Sequence, residues 1–97
     1  MIIRMRELID SFAAKHADAQ KALQRWVDIV EEAEWQSHTD IKFYFPSVDY
    51  VGNGRYVFNI KGNNYRLVAV IVFVADLLTI RFIGTHAEYD KINSSTI

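Results

Sequence analysis

At 97 residues the chain is long enough for one hydrophobic core and too short for two, so a single domain over residues 1–97 is expected. Apolar residues make up 51% of it and aromatics 13%, which excludes a disordered, highly charged chain, and the absence of cysteine excludes disulfides and thiolate metal sites. The formal charge of −1 hides an asymmetry: residues 1–41 carry five Lys/Arg against eight Asp/Glu, and residues 42–97 carry six against four. The C-terminal half is therefore the better place for an anion, although a pI near 6.3 is not the overall footprint of a nucleic-acid binder.

Met1-Ile2-Ile3-Arg4 lacks the charged-then-apolar layout of a signal peptide, so a cytoplasmic protein is expected. Ile2 and Ile3 suit a short edge strand. Beyond them Ile9, Phe12, Ala13 and His16, and then Ala19, Leu23, Trp26, Val27 and Val30, recur every three or four residues, which predicts two helices. The acidic run Glu31, Glu32 and Glu34 reads as a solvated helix face.

Phe45-Pro46-Ser47 interrupts regular structure, and Gly52-Asn53-Gly54 supplies the positive backbone angles of a tight turn. A strand should start at Arg55. The β-rich Tyr56-Val57-Phe58-Asn59-Ile60, the turn signal Gly62-Asn63-Asn64 and the Val/Leu/Ile-rich stretch 65–74 together predict an antiparallel hairpin. The longest apolar run, nine residues over 67–75, falls short of the roughly 20 that a spanning helix needs, so it is a buried strand and no membrane partner is expected.

Asp76 marks a second tight turn, a third strand should occupy 77–83, and Gly84 lets the chain leave the sheet. Thr85-His86-Ala87-Glu88 fits a capping box that starts a short final helix over about 86–93, with 93–97 as a frayed end. The expected fold is α+β: N-terminal helices on one face of a small antiparallel sheet, a short C-terminal helix, and the second sheet face free for function.

Alternation puts Arg66 on one face of its strand with Val68 and Val70, and Arg81 on one face with Thr79 and Ile83, opposite Leu78, Ile80 and Phe82. Where the hairpin register brings them together, two guanidiniums on a rigid sheet can bind a phosphodiester and stabilise the added charge of its transition state. Each is equally readable as a solvated or ion-paired surface arginine. His86, at the first helical position, should favour the neutral imidazole, available as a base, and Tyr89 falls on the same side of the helix three residues later. A histidine packed at a strand–helix junction and a tyrosine covering the core is the plainer alternative.

Lys61, in the turn before Arg66, can reach a phosphate or stay solvated. His16 and His38 have no second ligand at metal spacing and read as structural or surface residues, so neither a metal site nor a cofactor is expected.

Phe45-Pro46-Ser47-Val48-Asp49, the stretch from Tyr56 through Lys61-Gly62-Asn63-Asn64 to Tyr65-Arg66-Leu67-Val68, and Thr85-His86-Ala87-Glu88-Tyr89-Asp90-Lys91-Ile92, in that order, resemble the HigB toxin family of type II toxin–antitoxin pairs. The resemblance covers about residues 40–93. It implies a RelE-like fold, endoribonuclease action on mRNA, on the ribosome, and neutralisation by a HigA-type helix-turn-helix antitoxin, with operator DNA reached only through that antitoxin.

The family's Asn-x-x-Gly-Asn-x-x-Arg pattern falls on Asn59, Gly62, Asn63 and Arg66, and its Thr-His-x-Glu-Tyr-Asp pattern on Thr85, His86, Glu88, Tyr89 and Asp90; Arg81 matches a basic sheet position more loosely. The resemblance thus implies His86, Arg66, Arg81 and Tyr89 as catalytic residues and Lys61, Asn63 and Asn59 as substrate-binding ones. Toxins of this class tend to be basic; here the acidic surplus lies in the helical half, away from that sheet face. The alternative from another class is a non-catalytic module that binds protein or RNA through the same face.

Overall fold

A computed structural model describes all residues 1–97. Strand β1 (Ile2–Arg4) leads into helix α1 (Glu7–Lys15), a 3-10 turn (Ala17–Ala19) and helix α2 (Gln20–Glu32). Helix α3 (His38–Tyr44) then precedes four strands, β2 (Asp49–Gly52), β3 (Arg55–Ile60), β4 (Tyr65–Val72) and β5 (Leu77–Thr85), and helix α4 (His86–Tyr89).

The helical periodicity in the sequence is the periodicity of burial. Leu23, Trp26, Val27 and Val30 of α2 are each at most 1% exposed, while Gln20, Lys21, Gln24, Arg25 and Asp28 between them face solvent. That stripe, with Ile9 and Phe12 of α1, packs on the sheet face made by Tyr56, Phe58 and Ile60, by Tyr65, Leu67, Ala69 and Ile71, and by Leu78 and Ile80. Phe58 takes two edge-on aromatic contacts there, from Trp26 at 5.4 Å and Phe45 at 5.2 Å between ring centres. Each such pair adds about 0.5–1.5 kcal/mol to the burial itself.

The strand order is β1-β5-β4-β3-β2, with β1 parallel to β5 and every other pair antiparallel. The sheet is therefore mixed and five-stranded, wider than the three antiparallel strands expected. β1 takes the edge position foreseen for Ile2 and Ile3, while β2 and α3 both fall in the segment expected to be only turn-rich. α3 carries little sequence signal because Ile41 alone of its seven residues is buried.

The turns sit where glycine, asparagine and aspartate place them, with positive φ at Gly52, Asn53, Gly54, Lys61, Gly62 and Asp76. The capping box of α4 forms with both bonds: Glu88 N–H to Thr85 Oγ1 at 3.2 Å and Thr85 N–H to Glu88 Oε1 at 2.9 Å. The helix itself is shorter than expected and ends at Tyr89.

Two expectations for the second sheet face need correction. A bulge in β5 puts one extra residue, Arg81, between the pairs Ala69–Ile80 and Val68–Phe82. Past a bulge the inside–outside alternation shifts by one. Ile83 therefore packs toward the helix-side core and Phe82, 6.4 Å from Tyr89, lies on the opposite face, the reverse of simple alternation.

The C-terminal end is not frayed either. Asn53 Nδ2 donates to the Ser95 carbonyl at 2.8 Å, and the Arg55 and Arg81 guanidiniums both donate to the main-chain oxygen of Ile97. Val57 and Val68, on the face away from the helices, are buried to 2% and 0% exposure. That face is thus partly covered rather than wholly free.

Candidate functional site

Arg66 sits in mid-sheet, opposite Asn59 on β3 and Gly84 on β5. Its guanidinium carbon lies 4.9 Å from the centre of the Tyr89 ring, a cation–π distance. Tyr89 is brought there by the turn of helix that the capping box starts, and His86, three residues earlier, shares that side of α4.

Two polar atoms in this group have no partner: Arg66 Nε and His86 Nε2 are both buried without a hydrogen bond. A buried polar atom left unpaired costs about 1–3 kcal/mol, so such atoms are few and call for an explanation. The other two in the chain, the indole nitrogens of Trp26 and Trp35, belong to the helix-side core.

Arg81, carried on the bulge, is exposed and turns to the other end of the face, where its Nε donates to the Ile97 oxygen at 3.3 Å. There it meets Arg55, which the sequence analysis did not single out. The signal was available, since alternation from Arg66 through its register partner Asn59 puts Arg55 on the same face. None of Arg55, Arg66 and Arg81 takes part in any of the three ion pairs, all of which lie elsewhere. The structure thus gives neither Arg66 nor Arg81 an Asp or Glu partner.

Lys61 is not brought to this group. Its Nζ pairs with Asp18 Oδ2 at 3.1 Å, at the junction of α1 and α2 on the helix-covered side. The Tyr65 hydroxyl also donates to Asp18, at 2.8 Å to each carboxylate oxygen. The Tyr65 and Lys61 hydrogen bonds hold the Asp18 carboxyl below its ordinary value, and the Asp18 bond pushes the Tyr65 hydroxyl up. Asn63 is exposed in the hairpin turn, while Asn59 stands beside Arg66. His16 stacks on Phe12 at 4.1 Å, and His38 bonds the Tyr56 hydroxyl through Nδ1, so both have structural partners.

Glu88 is the titrating member of the capping box. The Thr85 backbone N–H, then the Thr85 hydroxyl, holds its carboxyl below the ordinary value of 4.5. A carboxyl held low in the folded state stabilises above its unfolded value, and that stability is lost as pH falls through the folded one. Wild type should therefore lose thermal stability below about pH 4.5 more steeply than Glu88→Gln, which keeps a capping-box acceptor. Superimposable melting-temperature profiles between pH 3 and 6 would contradict this.

Residues 19–92 match the model of a family described as HigB_toxin, RelE-like toxic component of a toxin-antitoxin system. The chain belongs to the HigB toxin family. The mRNA interferase HigB of Escherichia coli O6:H1 (strain CFT073) is 32% identical over 82 residues, covering 82% of this chain and 80% of that protein. The mRNA interferase toxin HigB of Escherichia coli K12 and the mRNA interferase HigB of Shigella flexneri are each 32% identical over 92 residues, covering 92% of this chain and 86% of theirs. The match takes in α2, which carries no specific motif, as well as the hairpin and capping box on which the resemblance rested. The α+β fold expected of a HigB toxin is the fold observed, and no helix is long and apolar enough to cross a membrane.

The cap that starts α4 fixes where His86 and Tyr89 stand, so it can be tested in this HigB-family chain. Thr85→Ala should cost about 1 kcal/mol of stability. RNA-cleaving activity should fall further than that loss of folded protein explains. A destabilised variant with an unchanged cleavage rate would separate the cap from the site.

Proposed function

We propose that the chain is the mRNA-cleaving toxin of a type II toxin–antitoxin pair, an endoribonuclease acting in the cytoplasm on ribosome-bound mRNA and silenced by a HigA-type antitoxin. Operator DNA is reached only through that antitoxin. The observation that carries this reading is the grouping of Arg66, Tyr89 and His86, with two buried nitrogens aimed at no protein partner. Its support in kinship is that the relatives above are named mRNA interferases.

The reaction needs no group beyond the RNA and the chain. The 2′-hydroxyl attacks the adjacent phosphorus, a base takes its proton, the 5′-oxygen leaves with a proton from an acid, and a 2′,3′-cyclic phosphate remains. Arg66 stabilises the charge that builds on the phosphorane in a metal-independent cleavage, and Arg81, turned to the other end of the face, contacts the strand instead. His86 is the general base or acid, its Nε2 uncovered as RNA enters, and Tyr89 positions the phosphate or donates the proton. Asn59, beside Arg66, contacts the strand, and Asn63 and Lys61 extend that contact at the hairpin turn once RNA competes with Asp18.

The test is inducible expression with and without the neighbouring reading frame, followed by mapping of mRNA 5′ ends. Growth arrest relieved by the neighbour, with cuts inside coding regions, is expected. Arrest with intact transcripts would instead mark a module that only binds.

A further inference from the structure

At the end of the face away from α4, two arginines grip one oxygen. Arg55 Nε and Nη2 donate to the main-chain oxygen of Ile97 at 3.1 and 2.7 Å, and Arg81 Nε donates to it at 3.3 Å. Arg55 Nη1 is tied at 2.9 Å to the Asn53 carbonyl, so the fork is aimed by the turn that starts β3. Two guanidiniums converging on one acceptor, with no Asp or Glu side chain paired to either, form a receptor for an oxyanion.

In the register, Arg55 stands opposite Val70 and Asn59 opposite Arg66, four residues apart along each strand. The two rows are thus about 13 Å apart. The Arg55–Arg81 pair is too far along the sheet to share the phosphate held at Arg66.

We propose that Arg55 and Arg81 form a second phosphate subsite for the RNA strand, away from the scissile phosphate, and that segment 93–97 occupies it in this structure, the Ile97 oxygen standing where a phosphate oxygen goes. The proposal takes its ligand from the ribonuclease reading above. It adds Arg55 as a binding residue and makes the C-terminal segment a competitor of substrate.

Binding of an all-2′-O-methyl oligoribonucleotide, which lacks the attacking hydroxyl, tests the subsite without cleavage. Arg55→Gln should bind about tenfold more weakly, the loss of one charge-assisted contact. Its plot of log affinity against log salt should flatten by about 0.7, the contribution of one phosphate on a single strand. Were Arg55 only an anchor for the tail, removing it would free the face, and the variant would bind as tightly as wild type or more tightly with the same slope; that result overturns the subsite.

Asn53→Gly keeps the positive-φ turn and removes the bond to the Ser95 carbonyl, so it should bind several-fold more tightly at unchanged slope. No gain there removes the tail as the occupant. Failure of wild type to bind the oligomer at all also overturns the proposal. Incubating the same preparations with unmodified RNA separates the two ideas, since a flattened slope without any cleavage would sink the nuclease reading and leave the anion subsite standing.

Discussion

Arg66→Lys should lower the single-turnover rate of mRNA cleavage by a factor on the order of 10²–10³, about 2.7–4 kcal/mol of transition-state stabilisation, with the fold intact. Lysine keeps the charge but loses the planar fork, and with it both the guanidinium carbon 4.9 Å from the Tyr89 ring centre and the Nε donor that lies buried without a partner. The fold should survive because Arg66 carries no ion pair and its place in the sheet is held by backbone pairing to Asn59 and Gly84. A surface arginine with no part in the chemistry would tolerate the change within about 0.5 kcal/mol. The measurement is cleavage of a defined mRNA at matched ribosome occupancy beside thermal melts of both proteins. Equal rates would return Arg66 to a packing role and leave the His86–Tyr89 pair to carry the reaction.

What the sequence discloses here is what short-range chemistry decides. The β3–β4 hairpin is legible because Gly62-Asn63-Asn64 separates two β-branched runs, and the register it sets puts Asn59 opposite Arg66. The α4 start is legible because a capping box spans only four residues. Burial that depends on distant partners is not legible. α3 is held by the single buried Ile41, and β2 contributes four residues with a register shift between Tyr50 and Gly52, neither of which leaves a periodic trace.

The candidate site divides the same way. Arg66, His86 and Tyr89 are linked by strand register and one helical turn, and both are local rules. Arg81 depends on the bulge, which no residue type at that point announces, and the bulge turns Phe82 toward Tyr89 and Ile83 toward the core. The pairing of Arg55 with Arg81 depends on a tail that returns over forty residues in sequence, with Arg55 bonding Ile97 at a separation of 42. Asn93, Ser94, Ser95 and Thr96 look frayed by composition. The segment is placed by the Ser95 oxygen, which accepts from Asn53, and by the Ile97 oxygen, which accepts from the two arginines.

The second large effect is expected at Gly84, and its cause differs from the one composition suggests. Gly84 is not needed to let the chain leave the sheet, since β5 continues through Thr85 and Gly84 is absent from the positions with positive φ. It is needed for space. A Cβ there would stand 2.7 Å from Phe82 Cζ, 3.0 Å from Glu88 Oε1 and 3.2 Å from Glu88 Cβ. The Glu88 carboxylate cannot retreat without giving up its bond to the Thr85 N–H, and the Phe82 ring has the Tyr89 ring as a neighbour at 6.4 Å between centres. Gly84→Ala should therefore cost about 1–3 kcal/mol as an overpacked site. At about 4–8 °C for each kcal/mol in a chain of this size, the melting temperature should fall well outside experimental error.

Cleavage should fall by more than the unfolded fraction accounts for, because relief through Glu88 breaks the capping box that starts the helix turn carrying His86 and Tyr89. Gly62→Ala is the matched control: at φ +63 with nothing within 4 Å of the added carbon, it carries the backbone cost alone, about 1 kcal/mol. That control is read on the melting temperature alone, since Gly62 stands between the substrate-binding Lys61 and Asn63. A Gly84→Ala protein that melts with wild type and cleaves at its rate would mean that Phe82 shifts freely, and that the sheet does not set the position of α4.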